Sequence, residues 1–364
     1  MDFIPYGKQT ILKDDIKEVI KTLKSPYLTT GPKIKEFEKA IGSYCSAKYC
    51  VVVSNATAAL HLSSLVLLKP NDKVLTTPNS FLATSNSILY AKANPIFVDI
   101  CKDGLIDLDI CEQYLKKDSS IKAIYIVSFS GKALDQKKLI YLKKRYNIKI
   151  LEDNAHRMGT KLKKSDISIF SFHPVKHLTT AEGGAIITNN KKLYKKLITL
   201  RNHGQDNSHN MTKLGYNYRL SDIQCALGIS QLKKLNKFIQ KRQKIAKRYD
   251  KLFINSIVKP LYNFTIKSYY HLYIVRIDFS KLSIKRDTLI KKLKKQNIGV
   301  QIHYKPINKQ PFYKNLGYGT EQTPKMDSYY QECLSLPIYP LLSKKEQQYT
   351  VDTLLYILTY SKIN

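Results

Sequence analysis

Short runs of β-branched residues alternate with longer amphipathic segments from Tyr49 to Asp153. The short runs are CVVVS, KVLTT, PIFVDI, AIYIVS and IKILED, and the longer segments between them include ATAALHLSSLVLL, SFLATSNSILYAKA and DQKKLIYLKKRYN. Apolar residues recur at helical spacing in the longer segments, whereas the short runs are typical of buried strands. This alternation predicts βαβ units and therefore an α/β fold with a mostly parallel central sheet.

The pattern changes after Asp153. The runs ISIFSF (167–172) and GAIIT (184–188) follow each other without a long helix between them. We expect them to be neighbouring strands. Antiparallel pairing is possible for them, because no crossover helix separates the two runs. A helical segment is predicted from Ser221 to about Phe253, with Ser221 as its N-cap.

The hydrophobic pattern is looser beyond Asn255. Strands are predicted around HLYIVRID and GVQIHY, and helices around KRDTLIKKLKKQ and SKKEQQYTVDTLLYIL. At 364 residues the chain has enough material for a large and a small domain. We expect residues 13–253 to form the large domain and 254–364 a smaller α+β domain, with residues 1–12 packing on the small domain.

The formal net charge of +33 raises the possibility of nucleic-acid binding. However, only eight of the 61 basic residues are arginine, and the lysines are scattered along the chain. Arginine supplies the bidentate contacts to phosphate and guanine, so a surplus made of lysine is weak support for that function. Two functional interpretations of the basic surface stay open. The protein is non-catalytic and has a regulatory or nucleic-acid-binding function, or the positive charge attracts acidic substrates.

Other chemistries find little support in the composition. The six cysteines include no CxxC pair, which argues against a zinc site and against a disulfide framework. The segment DICKDGLID resembles a calcium loop, but Cys101 and Ile110 occupy ligand positions, so no metal is expected. The first residues do not read as a signal peptide, and no apolar run approaches the roughly 18 residues of a membrane span. We therefore expect a soluble, cytoplasmic protein.

Several polar residues follow predicted strands, where a parallel sheet offers a ligand crevice. Residues 54–57 (SNAT) open a helix, and their N–H groups could bind a phosphate, although Asn and Thr at a helix start are often only caps. Asp153 ends an apolar strand, and a buried carboxylate there needs a cationic or hydrogen-bonding partner. Lys176 follows a later strand that also carries Ser171.

An anion cradle, a carboxylate and a lysine are the groups needed to hold pyridoxal phosphate. The cradle would bind the phosphate, Asp153 would keep the pyridine nitrogen protonated, and Lys176 would form the covalent attachment. Burial near positive charge lowers the pKa of a lysine, which lets it act as nucleophile and proton carrier. Phe81 is placed to stack on the ring, although an aromatic residue at such a position is more often part of the core.

The sequence resembles the DegT/DnrJ/EryC1/StrS sugar aminotransferases, which have the type I fold of pyridoxal-phosphate enzymes. The resemblance covers nearly the whole chain, and its motifs are IPYGKQTI, YLTTGPKIKEFEKAIGSY, VVVSNATAALHLSSL, TTPNSFLATSN, LEDNAHRMGT, FSFHPVKHLTTAEGGAIIT, LGYNYRLSDIQCALGISQL and GVQIHYKPINKQPFY. It implies transfer of an amino group from L-glutamate to a keto group of a nucleotide-linked sugar. The segments HYKPINKQPFY and ECLSLPIYPLLSKKEQ favour the subgroup that aminates C4 of a UDP-linked 4-keto-6-deoxy-N-acetylhexosamine in pseudaminic acid biosynthesis. Another nucleotide 4-keto sugar, of the bacillosamine or perosamine type, is the alternative substrate.

The resemblance also implies roles for individual residues. Lys176 and Asp153 would be the catalytic pair, and the cofactor would further contact Ala56, Thr57, Phe81, His156, Ser171 and, from the other subunit of a homodimer, Asn217. The nucleotide-sugar pocket would be lined by Tyr6, Pro26, Tyr27, Leu28, Thr29, Ile307, Asn308, Lys309 and Gln310. One departure from the family is the short connection between Thr160 and Ser168, which leaves Asp153 and Lys176 in register with their motifs. No role for nucleic acid or membrane is implied.

Overall fold

A computed structural model describes residues 1–206 and 208–361 of the chain. Its centre is a sheet of seven strands in the order β1-β7-β6-β5-β4-β2-β3. The strands are β1 (Tyr49–Val53), β2 (Lys73–Thr76), β3 (Asn94–Phe97), β4 (Ile121–Val127), β5 (Lys149–Asp153), β6 (Ile167–Ser171) and β7 (Gly184–Thr188). The strands β3, β2, β4, β5 and β6 are parallel, and β7 is antiparallel to both of its neighbours. The predicted mostly parallel sheet is confirmed, and β6 and β7 are antiparallel neighbours.

Helices cover both faces of this sheet. The helices of the first 252 residues are α1 (Lys13–Leu23), α2 (Pro32–Tyr44), α3 (Ala56–Leu67), α4 (Leu82–Tyr90), α5 (Leu108–Lys117), α6 (Gln136–Tyr146), α7 (Lys191–Arg201), α8 (Asp222–Leu232) and α9 (Leu235–Leu252). Alternate residues of β1 show the two layers, because Val51 and Val53 pack in one buried cluster with α3. Val52 packs in another cluster with residues of α2 and α8. Burial of both faces explains why the strands read as continuous apolar runs.

The part of the chain after α9 has a sheet of its own, and its treatment as a separate small domain stays a prediction. This sheet contains β8 (Lys259–Pro260), β9 (Tyr273–Arg276) and β10 (Cys333–Leu336), and the helices of this part are α10 (Arg286–Lys295), α11 (Pro311–Asn315), α12 (Pro324–Glu332) and α13 (Lys344–Thr359). The N-terminal segment contacts this part of the chain, since the Ile4 N–H donates to the Asn297 carbonyl at 2.8 Å. Among the described residues, no helix is long and apolar enough to cross a membrane.

Two elements differ from the sequence-based expectation. The helix predicted from Ser221 to about Phe253 is two helices, α8 and α9, separated by a turn in which the Lys234 N–H donates to Gln231 O. At this break the Lys234 ammonium binds Asp14 and Asp15 of α1, a tertiary contact that periodicity does not encode. Ser221 is the N-cap of α8, as predicted, and its hydroxyl accepts from Gln224 N.

The segment GVQIHY was predicted as a strand and this prediction was wrong. Only Gln301 forms a bridge, with Ser335 of β10, through hydrogen bonds of 2.8 and 3.2 Å. The following residues leave the sheet and line a cavity. Apolar and polar residues of this run line the cavity alike, so their alternation does not mark the two faces of a strand.

Candidate active site

A cavity of about 750 Å³ lies at the carboxyl ends of β1, β5 and β6. Its size is typical of a small-molecule or cofactor site. The cavity brings together eight residues that the sequence had singled out: Tyr6, Ala56, Thr57, Phe81, Asp153, His156, Ser171 and Lys176. They come from segments far apart in the chain, and the topology of the sheet places them side by side.

The start of α3 forms one wall of the cavity. The Asn55 side chain caps the helix by accepting from Ala58 N at 2.8 Å, which leaves the N–H groups of Ala56 and Thr57 in the first turn without an intrahelical acceptor. The backbone of β7 lies directly against this turn, because a Cβ on Gly184 would come within 2.8 Å of Ala56 N. The first turn is therefore fixed in place by its packing and presents N–H donors and the positive end of the helix dipole to an anion.

Asp153 lies at the end of β5 and is buried. One of its carboxylate oxygens accepts from the Thr84 hydroxyl at 2.7 Å and the other from Ala155 N at 3.0 Å. Burial raises the pKa of Asp153, while these hydrogen bonds and the charge of Lys176 oppose the rise. A carboxylate held in this way is stabilised by a protonated ring nitrogen, which supplies the cation that such a buried charge requires.

Lys176 lies in the turn that follows β6. Its N–H donates to His173 O at 2.9 Å, and its Nζ lies 3.4 Å from His271 Nε2. Burial lowers the pKa of Lys176 to about 8, with a smaller lowering from the Arg242 charge and an opposing effect of Asp153. An ε-amino group with this pKa is partly neutral near physiological pH, as a nucleophile and proton carrier must be.

His156 is oriented by two hydrogen bonds. Its Nδ1 accepts from Ser130 N at 3.3 Å, so the proton is on Nε2, which lies 3.2 Å from the Tyr304 hydroxyl. Burial is the main cause that lowers the pKa of His156 well below its ordinary value. The imidazole is therefore neutral and presents a flat uncharged face to the cavity.

Phe81 and Ser171 also lie where a bound ring and its phosphate could reach them. Phe81 is the N-cap residue of α4 and is 59% exposed, with its ring centroid 6.4 Å from that of Tyr304. Ser171 is the last residue of β6 and is buried beside the start of α3. Their roles in stacking and in phosphate binding stay predictions.

Other residues predicted for the site lie outside this cavity. Asn217 is exposed and bridges to Asn202 of its own chain. The residues Pro26, Tyr27, Leu28 and Thr29 are exposed in the connection between α1 and α2. The predicted segment 307–310 also lies apart: Ile307 is buried in the core, Asn308 donates to Glu321, and Lys309 pairs with Asp327 at 2.6 Å. The cavity is lined instead by residues 301–304, a few positions earlier in the same motif.

Sequence reasoning missed four residues of the site. Thr84 binds Asp153, Tyr304 contacts His156, His271 contacts Lys176, and Arg242 binds the backbone on both sides of that contact. Thr84 and Tyr304 lie inside the recognised motifs TTPNSFLATSN and GVQIHYKPINKQPFY, and this position was an available signal. His271 and Arg242 come from a loop and a helix that no pattern in the sequence connects with Lys176.

These groups fit pyridoxal phosphate. The first turn of α3 and the Ser171 hydroxyl could hold the phosphate, Asp153 the ring nitrogen, and Lys176 the aldehyde carbon. The donor set supports this assignment, since an anion cradle, a buried carboxylate and a lysine of lowered pKa face one cavity. Among residues 1–206 and 208–361, no cluster of His, Cys, Asp and Glu could hold a metal ion.

Comparisons with known proteins give one consistent result. The model of the DegT/DnrJ/EryC1/StrS aminotransferase family matches residues 9–355. A Campylobacter jejuni protein named UDP-4-amino-4,6-dideoxy-N-acetyl-beta-L-altrosamine transaminase is 41% identical over 372 aligned residues, covering 98% of this chain and 97% of that protein.

Solved structures agree with the sequence comparison. Helicobacter pylori PseC, described as an aminotransferase involved in the biosynthesis of pseudoaminic acid, superposes with a TM-score of 0.93 at 31% identity and covers 99% of this chain and 100% of its own. Streptococcus pneumoniae Spr1654 in its PMP-form gives a TM-score of 0.91 at 31% identity, with 98% of each chain covered. The predicted fold class is thereby confirmed.

Proposed function

The chain belongs to the DegT/DnrJ/EryC1/StrS aminotransferase family, and on that premise we propose that it transfers an amino group from L-glutamate to C4 of a UDP-linked 4-keto-6-deoxy-N-acetylhexosamine. It is a pyridoxal-phosphate enzyme, as its family membership and the fit of the cavity indicate. The observation that carries the proposal is a single cavity in which Lys176, Asp153 and the start of α3 meet.

The chain's own residues divide the work of the reaction. Pyridoxal phosphate, when bound, supplies an electron-accepting ring that carries the amino group between the two substrates. The N–H groups of Ala56 and Thr57 would hold its phosphate, and the Asp153 carboxylate would bind its ring nitrogen. Thr84 and Ala155 N hold that carboxylate in one orientation.

Lys176 is the proton carrier. Its neutral Nζ accepts a proton from the α-carbon of glutamate, and its ammonium form delivers a proton to C4 of the sugar, which fixes the new stereocentre. A pKa of about 8 suits both steps, because the amine and the ammonium are both populated near neutral pH. The neutral His156 and Tyr304 line the cavity beside Lys176 and contact each other at 3.2 Å.

The proposed sugar follows from the relatives. The Campylobacter jejuni relative is named for the amino sugar that pairs with this 4-keto substrate, the 4-ulose of β-L-arabino configuration. At 41% identity over nearly the full length of both chains, the same substrate is the simplest proposal. Tyr6 and residues 301–304 line the same cavity and could contact the sugar.

We propose that the enzyme is a homodimer in which each subunit completes the site of the other. Helix α1 exposes Ile16, Ile20 and Leu23 by 47–52%, beside a nearly apolar depression that Pro174 also lines. Such a continuous apolar face is typical of a surface that another subunit covers. In this arrangement the exposed Asn217 would reach the phosphate bound in the partner's cavity.

The cytoplasm is the compartment that we propose for the reaction. The six cysteines are free thiols. Unpaired cysteines in this number are more typical of a reducing compartment than of an oxidising one.

The test is an amination assay with two substrates. Purified enzyme, pyridoxal phosphate and L-glutamate are incubated with each C5 epimer of the UDP-linked 4-keto sugar, and 2-oxoglutarate and the 4-amino sugar are quantified. We expect faster amination of the β-L-arabino epimer. Preference for the other epimer would assign the enzyme to a bacillosamine-type sugar, and absence of any amino sugar would contradict the proposal.

A further inference from the structure

His271 is the residue whose side chain meets the reactive nitrogen of Lys176. Its Nε2 lies 3.4 Å from Nζ, and its ring is 4% exposed. Within the described part of the chain, its Nδ1 has no hydrogen-bond partner. Since buried polar groups are normally paired, a histidine that leaves one nitrogen unpaired and directs the other at Lys176 calls for an explanation.

The backbone around this contact is held from both sides. The His271 N–H donates to Ser130 O at 2.9 Å. Arg242, which is fully buried in α9, donates through Nη1 to His271 O at 3.1 Å and through Nη2 to Val175 O at 3.2 Å. Val175 directly precedes Lys176, so one guanidinium group binds the two segments whose side chains meet.

The same guanidinium has two further acceptors. Its Nη1 donates to Ile338 O at 2.8 Å and, at 3.4 Å, to Tyr270 O. All of these partners are main-chain carbonyls, so the Arg242 guanidinium forms charge-assisted hydrogen bonds to the backbone and no ion pair with them. The rigid fork of arginine is suited to holding several acceptors in fixed relative positions.

We propose that His271 is a positioning residue for Lys176. Its Nε2 accepts a hydrogen bond from the ε-ammonium group of Lys176, and Arg242 holds the two backbone segments at the separation that this hydrogen bond requires. The proposal rests on the proposed function, because it assigns a partner to the proton carrier of that reaction. It adds a residue that belongs to no recognised motif.

The direction of the hydrogen bond follows from the charges nearby. An ammonium group can only donate, so His271 must accept at Nε2 and carry its proton on Nδ1. Asp153 faces Lys176 from β5 and favours the ammonium form, whereas the Arg242 charge and burial favour the amine. The nearby histidines His156, His177 and His303 are neutral, since burial lowers the pKa of each.

Removal of the acceptor should therefore destabilise the ammonium form and lower the pKa of Lys176. The test uses the cofactor-free protein, in which acetylation of Lys176 by acetic anhydride is followed from pH 6 to pH 10, a range of about two units on each side of the pKa of about 8. The labelled peptide is quantified by mass spectrometry. The pH of half-maximal rate reports the pKa independently of how accessible the amine is.

Three substitutions of His271 separate its functions. His271→Leu removes the acceptor, His271→Asn keeps a polar group but is too short to reach Nζ, and His271→Gln places an amide oxygen where Nε2 was. We expect Leu and Asn to lower the half-maximal pH by about one unit, equivalent to about tenfold more neutral amine below the pKa. Gln should restore most of the wild-type value. If the Leu variant does not fold, the comparison of Asn with Gln decides.

His177→Gln is the matched control. This histidine is equally buried, its ring centroid lies 5.7 Å from that of His271, and its Nε2 is bonded to Tyr269 O. The control should leave the labelling curve unchanged. An unchanged or raised half-maximal pH in His271→Leu and His271→Asn, or an equal fall in the control, would overturn the proposal. Because no sugar is present, this outcome is independent of the amination assay.

Discussion

Replacing Arg242 by methionine should destabilise the protein where α9 packs against the segments that contain Val175, His271 and Ile338. The substitution leaves three carbonyls without a donor, those of Val175, His271 and Ile338, which lie 2.8–3.2 Å from the guanidinium nitrogens. A buried polar group left unpaired costs roughly 2 kcal/mol, so the gross loss is about 6 kcal/mol. The longer contact to Tyr270 adds little.

Part of this loss is recovered, because burying the guanidinium is itself unfavourable. Burial lowers the pKa of Arg242 to about 10, and this fall from the ordinary value of a guanidinium corresponds to about 3 kcal/mol at 1.36 kcal/mol per pH unit. The net destabilisation is then about 3 kcal/mol. With an unfolding entropy of about 2.1 cal/mol/K per residue over 364 residues, the melting temperature should fall by about 4 °C.

The measurement is thermal unfolding followed by circular dichroism, together with amide exchange of peptides that contain Val175 and His271. Arg248→Met is the control, since Arg248 lies on the same helix α9 and, among residues 1–206 and 208–361, makes a single hydrogen bond, to Gln348 at 3.2 Å. The amide protons at 175–177 and 270–272 should exchange faster in Arg242→Met only. A melting temperature equal to that of the control, or unchanged exchange in these peptides, would refute the reasoning.

Four further outcomes are expected. Lys176→Met should stabilise the cofactor-free protein at pH 7 by about 2 kcal/mol in thermal unfolding. The folded-state pKa of Lys176, about 8, lies below the usual 10.5, so the free-energy cost of burying the ammonium is present below pH 8 and disappears as the pH rises toward 10.5. The figure of about 2 kcal/mol includes a reduction for screening by water in the cavity. The difference between wild type and variant should vanish at high pH, and a constant difference would contradict this. Asp153→Asn should lower kcat by 10²-fold or more, because the ring nitrogen loses its anionic partner. Thr84→Val should lower kcat about tenfold, the equivalent of one hydrogen bond. Both values are measured by steady-state kinetics, and a larger effect of the Thr84 change would reverse the assigned roles. Asn217→Ala and Lys176→Ala, each inactive or weak alone, should recover activity when mixed and allowed to exchange subunits, because one site of the mixed dimer is then intact; no recovery would contradict a shared site. Over the acidic limb, kcat at saturating glutamate should rise with pH toward about 8, as the Lys176 ammonium loses its proton, and a profile flat from pH 6 to 8 would argue against Lys176 as the base.

The elements of the large domain could be predicted because local pattern and tertiary role agree. Strands such as β1 and β6 are buried on both faces, so their apolar runs identify them without knowledge of their neighbours. The helix break at Lys233–Lys234 could not be predicted, since both sides of it are good helix sequence and the turn coincides with a contact to Asp14 and Asp15, about 220 residues away.

The site was predictable where a residue ends a strand or opens a helix. Asp153 ends β5, Ala56 opens α3, and Lys176 lies in the turn after β6, so the sheet brings all three to one edge. His271 and Arg242 reach the same place from the loop before β9 and from α9, and their contacts depend on how these segments pack. Periodicity carries no information on packing of that kind, which is why these two residues appear only in the structure.

The most direct test of the account is to identify the lysine that holds the cofactor. The purified protein is loaded with pyridoxal phosphate, reduced with borohydride, digested and analysed by mass spectrometry. We predict the mass of the reduced cofactor on the peptide that contains Lys176, and none in Lys176→Arg. Attachment at another of the 53 lysines, or no attachment at all, would contradict the central claim.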